Sequence, residues 1–140
     1  MCGIAGLSGD IRQPIMASLS DVLLHRGPDD KGSFEAPEYH IQLFHQRLAI
    51  LDMTDAGHQP MHSPDNRLAL IYNGEIYNFI ELRSELEHLG YQFLSQSDTE
   101  VVLMAYDAWG EDFLSRLNGI FAFALFDKTR KSVLLARDQM

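Results

Sequence analysis

A chain of 140 residues, 46% apolar and 22% charged, can bury one hydrophobic core unaided, and its single cysteine excludes an internal disulfide. That cysteine usage suits a reducing compartment, so a cytoplasmic location is expected. A net charge of −9 with no basic block argues against nucleic acid or an anionic membrane as partner, and neither a membrane-length apolar run nor a secretory signal is present.

The chain opens on Met1-Cys2-Gly3-Ile4-Ala5-Gly6, which contains the lone cysteine. Most such cysteines are small buried hydrophobes. Removal of Met1 would give residue 2 a second character, because thiol and free α-amine would then share one Cα. Reference pKa values of about 7.7–8.0 for the amine and roughly 8.5 for the thiol put a nucleophile and a base near neutrality on one residue. Residues 2–8 predict a short buried strand ending at Gly9-Asp10. Pro14 and the spacing of Ile15, Met16, Leu19, Val22 and Leu23 predict a helix over 14–24.

His25-Arg26-Gly27-Pro28-Asp29-Asp30 follows as a dense loop, which taken alone is a helix stop with a Gly-Pro turn. Residues 32–36 and 40–46 predict paired strands around Pro37-Glu38. Arg47 then stands between a strand and an apolar run, where an arginine either snorkels to the surface or grips an anion with its planar fork. Residues 53–66 predict a loop. His58 and His62 within it lack a third ligand or a helical pattern, so no metal is expected.

Residues 68–72 predict a buried strand running into Asn73-Gly74-Glu75-Ile76-Tyr77-Asn78. Asn-Gly suggests a hairpin, but Leu82, Leu86 and Leu89 with Gly90 predict a helix next. The favoured reading is therefore a strand-to-helix corner presenting an amide side chain beside a bare backbone N–H, the two donors an oxyanion hole needs. Residues 91–95 predict a short strand. Ser97 and Glu100 fit a capping box opening a mostly apolar helix that ends at Trp109, which gives Asp98 a structural role in a first turn. A short helix over 111–117 and a hairpin of strands 120–126 and 132–137 complete the pattern. The chain stops at Met140 within strand-like sequence, which reads as a cut.

In order, MCGIAG (1–6), HRGPDD (25–30), HQRLAILD (45–52), YNGEIYN (72–78), SDTE (97–100), NGIFAFALFD (118–127) and LARD (135–138) resemble the glutamine amidotransferase domain of glutamine-hydrolysing asparagine synthetases. That domain is a class II, N-terminal-nucleophile (Ntn) amidotransferase. Related domains of glucosamine-phosphate synthases and purine-pathway amidotransferases share the Cys-Gly-Ile start, but are not expected to carry HRGPDD, HQRLAILD and NGEIYN together. The resemblance implies an α+β fold, a four-layer α-β-β-α sandwich with two stacked antiparallel sheets, here incomplete at its C-terminal end.

The resemblance also implies roles. Residues 2–140 form a glutaminase domain in which Cys2 is the nucleophile, and Asn73 and Gly74 supply the oxyanion hole. Arg47 grips the α-carboxylate of glutamine, and Asp98, with Glu75 beside it, holds the α-ammonium. Leu48 and Ile50 add backbone and packing contacts, and Arg26 and Gly27 shape the loop near the nucleophile. No cofactor is implied for this half. ATP and Mg2+ are expected in a C-terminal synthetase domain not contained in these residues, which would use the ammonia to make asparagine from aspartate. A homodimer is a further assembly the resemblance allows. Two alternatives stand: the same glutaminase serving another acceptor, such as a sugar or natural-product carboxylate, and a non-catalytic docking or regulatory domain.

Overall fold

Side chains along a strand alternate between faces, and in two neighbouring strands this alternation decides the layering. The computed structural model describes residues 2–9, 14–50 and 52–139; Met1, Asp10, Leu51 and Met140, on which parts of the sequence reading fall, lie outside them. Strand β5 (Leu68–Ile76) pairs antiparallel with β6 (Gly119–Asp127). From this pair Leu68, Leu70, Tyr72, Phe121, Phe123 and Leu125 face one way, into a core shared with two helices. Ala69, Ile71, Ala124 and Phe126 face the other way, into a second core shared with Ala36 and Leu43 of the opposite sheet.

The first sheet contains β1 (Gly3–Ser8), β2 (Asp30–Ala36) and β3 (Ile41–Arg47) in the order β1-β3-β2. The second contains β4 (Met61–His62), β5, β6 and β7 (Ser132–Arg137) in the order β4-β5-β6-β7. Both sheets are antiparallel throughout. Helix α1 (Pro14–Leu23) lies against β1 and β3, while α2 (Phe79–His88) and α3 (Asp98–Trp109) cover the outer face of the second sheet. The result is the expected α-β-β-α sandwich. The helix face anticipated on α1 is only partly used: Leu19 and Leu23 are half-buried, whereas Ile15 and Val22 are exposed.

Two expectations need correction. Residues 91–95 are not a strand, because the Tyr91 N–H turns back to the Leu86 carbonyl at 3.0 Å and polar backbone groups of Leu94 and Ser95 are taken by side chains. The Glu100 carboxylate accepts the N–H of Leu94 at 2.9 Å and of Ser95 at 2.7 Å, and Arg83 donates to the Ser95 carbonyl at 3.0 Å. Glu100 is thereby drawn away from Ser97, so only half of the capping box forms: Ser97 Oγ accepts Glu100 N–H at 3.3 Å.

The second correction concerns Asn73-Gly74, which is neither a hairpin turn nor a corner. β5 continues through both to Ile76, with Asn73 opposite Ala122 and Gly74 opposite Phe121. Glycine suits this register because a Cβ at Gly74 would approach the Ile120 carbonyl oxygen to 2.3 Å. The 53–66 loop also contains β4, which extends the sheet beside Ala69 and Leu70.

Candidate active site

The ends of the two sheets and the start of α3 enclose a cleft of about 160 Å³. Its lining includes Cys2, Arg47, Leu48, Ile50, Asn73, Gly74, Glu75 and Asp98, so every predicted site residue except Arg26 and Gly27 borders it. These eight come from the residue just before β1, from β3 and the segment after it, and from β5 and α3; the topology alone brings them together.

Cys2 precedes β1 and is half-buried. The Leu48 N–H donates to its sulfur at 3.3 Å, and the thiol faces the Leu48 carbonyl at 3.6 Å. An N–H bond to sulfur strengthens as negative charge builds there. Arg26 donates from Nε and Nη2 to the Cys2 carbonyl, each at 3.4 Å, and so steadies the Cys2 backbone from outside the cleft. Gly27 is buried against Arg47, whose carbonyl carbon would lie 2.3 Å from an added Cβ, and Gln46 Nε2 donates to the Gly27 carbonyl at 2.5 Å. Asp29 completes the seam by donating its N–H to the Arg47 carbonyl at 3.1 Å and accepting Ala49 N–H at 2.9 Å. The HRGPDD loop is thus fastened along the segment that follows β3.

Arg47 does not snorkel. It is 8% exposed, and its guanidinium donates to the carbonyls of Asp52 and of Thr54, the latter at 3.0 Å. Among the described residues no carboxylate pairs with it, so a buried positive charge borders the cleft with its orientation fixed by neutral acceptors.

Asp98 supplies the opposite charge. It is 4% exposed, and one oxygen accepts the Tyr72 hydroxyl at 2.6 Å and the Ile76 N–H at 3.0 Å. Burial pushes its carboxyl above the usual range, with these hydrogen bonds opposing the shift. Its partners on β5 show a role well beyond a helix first turn. Glu75 is exposed and borders the same cleft.

The donors on β5 follow from ladder geometry. Phe121 exchanges its polar groups with Asp138: its N–H donates to the carboxylate at 2.8 Å and its carbonyl accepts Asp138 N–H at 2.9 Å. Its cross-strand partner Gly74 therefore directs its own N–H away from β6, as do Tyr72 and Ile76 two residues to either side. Gln59 accepts Tyr72 N–H at 2.7 Å and Asp98 accepts Ile76 N–H, which leaves the Gly74 N–H between them without a partner among the described residues. Asn73, adjacent, has a buried side-chain oxygen that is also unpartnered among them. Two uncommitted polar groups sit side by side at the cleft.

Behind this strand His45 is fully buried, with Nε2 3.1 Å from the Tyr72 carbonyl. A carbonyl only accepts, so Nε2 bears the proton. Burial pulls the imidazole down to about 4, so the ring is neutral at physiological pH. His58 Nδ1 lies 2.7 Å from Asp30 Oδ2, and no group of three or more His, Cys, Asp or Glu suited to a metal occurs among the described residues. No helix of the described residues is long and apolar enough to cross a membrane.

A family model, the glutamine amidotransferase domain, matches residues 1–140. The chain belongs to this family. The domain is 42% identical over 147 residues to glutamine-hydrolyzing asparagine synthetase 3 of Bacillus subtilis, across 100% of this chain and 24% of that protein. Glutamine-hydrolyzing asparagine synthetase 2 of Arabidopsis thaliana is 41% identical, across 99% of the chain and 24% of the relative. Amidase chry2 of Gibberella zeae is 33% identical, across 99% and 23%.

Among solved structures, the glutamine phosphoribosylpyrophosphate amidotransferase of B. subtilis, complexed with ADP and GMP, superposes with a TM-score of 0.59 at 29% identity, covering 71% of this chain and 23% of that one. The fold is that of the Ntn amidotransferases. The chain spans about a quarter of the length of the curated relatives.

Cleft residues that sequence reasoning passed over are Asp52, Gln59, Tyr72 and Thr99. Asp52-Met53-Thr54 carries an Asx-turn signal, since Asp52 Oδ1 accepts Thr54 N–H at 2.8 Å, but such a signal marks a turn and not a cleft wall. Tyr72 and Gln59 read as strand and loop residues, and nothing in their spacing reveals that Gln59 accepts the Tyr72 N–H from beside β5 or that the Tyr72 hydroxyl reaches Asp98.

Proposed function

We propose that this cleft hydrolyses the side-chain amide of glutamine, with Cys2 as the nucleophile once Met1 is removed. The observation that carries the reading is the convergence, in one small cleft, of a thiol, the unpartnered Gly74 N–H with the Asn73 side-chain amide beside it, and two buried opposite charges on Arg47 and Asp98.

The α-amine of processed Cys2, through a water, takes the thiol proton, and sulfur attacks the amide carbon. Negative charge moves to the amide oxygen, where the Asn73 side-chain NH2 and the Gly74 N–H meet it. The amide nitrogen leaves as ammonia with the proton the α-amine accepted. A γ-glutamyl thioester remains, and water cleaves it to glutamate and free thiol. Arg47 pairs with the substrate α-carboxylate, and Asp98 and Glu75 with the α-ammonium. Binding the ammonium keeps Asp98 ionised against the upward push of burial.

The ammonia would pass to a synthetase domain borne elsewhere, and that domain would hold ATP and Mg2+; this chain has no Gly-rich phosphate loop. Relatives named asparagine synthetases favour aspartate as the acceptor, while the relative named amidase supports a different acceptor for the same glutaminase half. The test is glutamate and ammonia release by the Met1-processed chain. Cys2→Ala is expected to abolish both without unfolding the domain, and turnover persisting in that variant contradicts the assignment.

A further inference from the structure

We propose that Asp52 is a positioning residue that fixes the separation between the two charged ends of the substrate clamp, Arg47 and Asp98. The inference rests on the glutaminase reading above and adds what makes that cleft selective for an α-amino acid zwitterion.

Asp52 closes the HQRLAILD stretch, is 7% exposed and lines the cleft. Its main chain and side chain act in two directions. The carbonyl accepts from Arg47 Nη2, while the Thr54 carbonyl two residues on accepts from Nη1 at 3.0 Å. Oδ1 folds this segment so that both carbonyls face the guanidinium, accepting the Thr54 N–H at 2.8 Å and its hydroxyl at 2.6 Å. Oδ2 reaches to the far wall and accepts the N–H of Gln96, 44 positions on, at 2.9 Å. Gln96 is two residues before Asp98, and Ser97 between them caps α3. A short covalent and hydrogen-bonded path therefore runs from the guanidinium through Asp52 and Gln96 to the Asp98 carboxylate. These bonds hold the Asp52 carboxyl below its usual range, the Thr54 hydroxyl first, then the amides of Gln96 and Thr54.

The chemistry explains why such a strut matters. The α-carboxylate and α-ammonium of an amino acid sit on one carbon, so their separation is fixed. Partners at the wrong spacing satisfy one charge at the expense of the other, and small misplacements in a bound geometry are costly. Attack by Cys2 depends on other atoms, so loosening the strut is felt in substrate affinity first.

Asp52→Asn tests this. Asparagine has one acceptor oxygen, so its NH2 turns a donor toward either Gln96 N–H or Thr54, and one of the two ties is lost. The glutamine KM is expected to rise about tenfold, as loss of a hydrogen bond to a charged acceptor implies, while kcat stays within about twofold. Alkylation of Cys2 by iodoacetamide, which carries an amide but neither α-charge, is expected at the wild-type rate.

An unchanged KM in the folded variant overturns the proposal. So does a parallel fall in kcat and alkylation rate, which would make Asp52 a general support of the cleft. Wild-type protein that fails to hydrolyse glutamine removes the glutaminase reading and this inference together; an active wild type with an unaffected Asp52→Asn removes this inference alone. Where Asp52→Asn does not fold, Thr54→Val deletes the hydroxyl bond to Asp52, along with the exposed bond the hydroxyl accepts from Ala56 N–H, and leaves the tie from Asp52 to Gln96 in place. It is expected to raise KM by about threefold with kcat held, and no rise overturns the proposal.

Discussion

Replacing His45 by glutamine tests how the two sheets are tied behind the strand that carries Asn73 and Gly74. His45 is fully buried on β3 and donates from Nε2 to the Tyr72 carbonyl on β5, 3.1 Å away. Burial is the largest influence on its titration and lowers it from 6.5 to about 4, with the Tyr72 bond and Asp30 opposing and Arg47 and His58 assisting. Below 6.5 the unfolded chain takes a proton on this histidine, whereas the folded chain does so only near 4. Stability that is complete above 6.5 is therefore lost as the pH falls toward about 4.

At about 1.4 kcal/mol per pH unit the loss approaches ~3 kcal/mol across that window, a large share of the roughly 5–15 kcal/mol that holds a domain together. Glutamine can donate to the same carbonyl and does not titrate. Urea unfolding of wild type and His45→Gln at several pH values from about 8 to 4.5 isolates the contribution, because Asp98 and His62 are common to both proteins and cancel in the difference. The wild type is expected to lose about 2–3 kcal/mol more than the variant over this range. Parallel stability curves would refute the reasoning.

Other predictions follow from the cleft. Asp98→Asn removes a charge that burial disfavours while leaving an oxygen to accept from Tyr72 and Ile76; the domain should melt no lower at neutral pH, yet its glutamine KM should rise at least tenfold, by about the value of one charged contact. Asn73→Ala removes one of the two proposed oxyanion donors and should lower kcat by about 10²–10³-fold with a smaller effect on KM, read in steady-state glutamate release. Arg47→Ala should chiefly raise KM, and thermal unfolding should show a cost of about 1–3 kcal/mol, because the Asp52 and Thr54 carbonyls lose their donors.

What the sequence disclosed and what it hid divide along physical lines. The alternation of Phe121, Phe123 and Leu125 with Ala122, Ala124 and Phe126 foretold a strand buried on both faces, because core packing is written in residue size and period. Cys2, Arg47, Asn73, Gly74 and Asp98 were recognisable from their motifs, and the cleft brings all five together. The conformation of Asn73-Gly74 was misread because local turn chemistry favours a bend there, and pairing with β6 over nine positions overrides it. Residues 91–95 looked like a strand by composition, but their hydrogen bonds go to Glu100 and Arg83, contacts that no local pattern encodes. Asp52 and Tyr72 were missed for a similar reason. Their importance lies in bonds to partners 44 and 26 positions away, and a single sequence shows neither.

The most direct test of the central claim is the intact mass and peptide map of the purified chain after exposure to a diazo-oxo-norleucine glutamine analogue. A single adduct on an N-terminal Cys2 is expected, with Met1 gone and labelling suppressed by excess glutamine. A folded, processed chain that takes no label at Cys2, or takes it there regardless of glutamine, would contradict that claim.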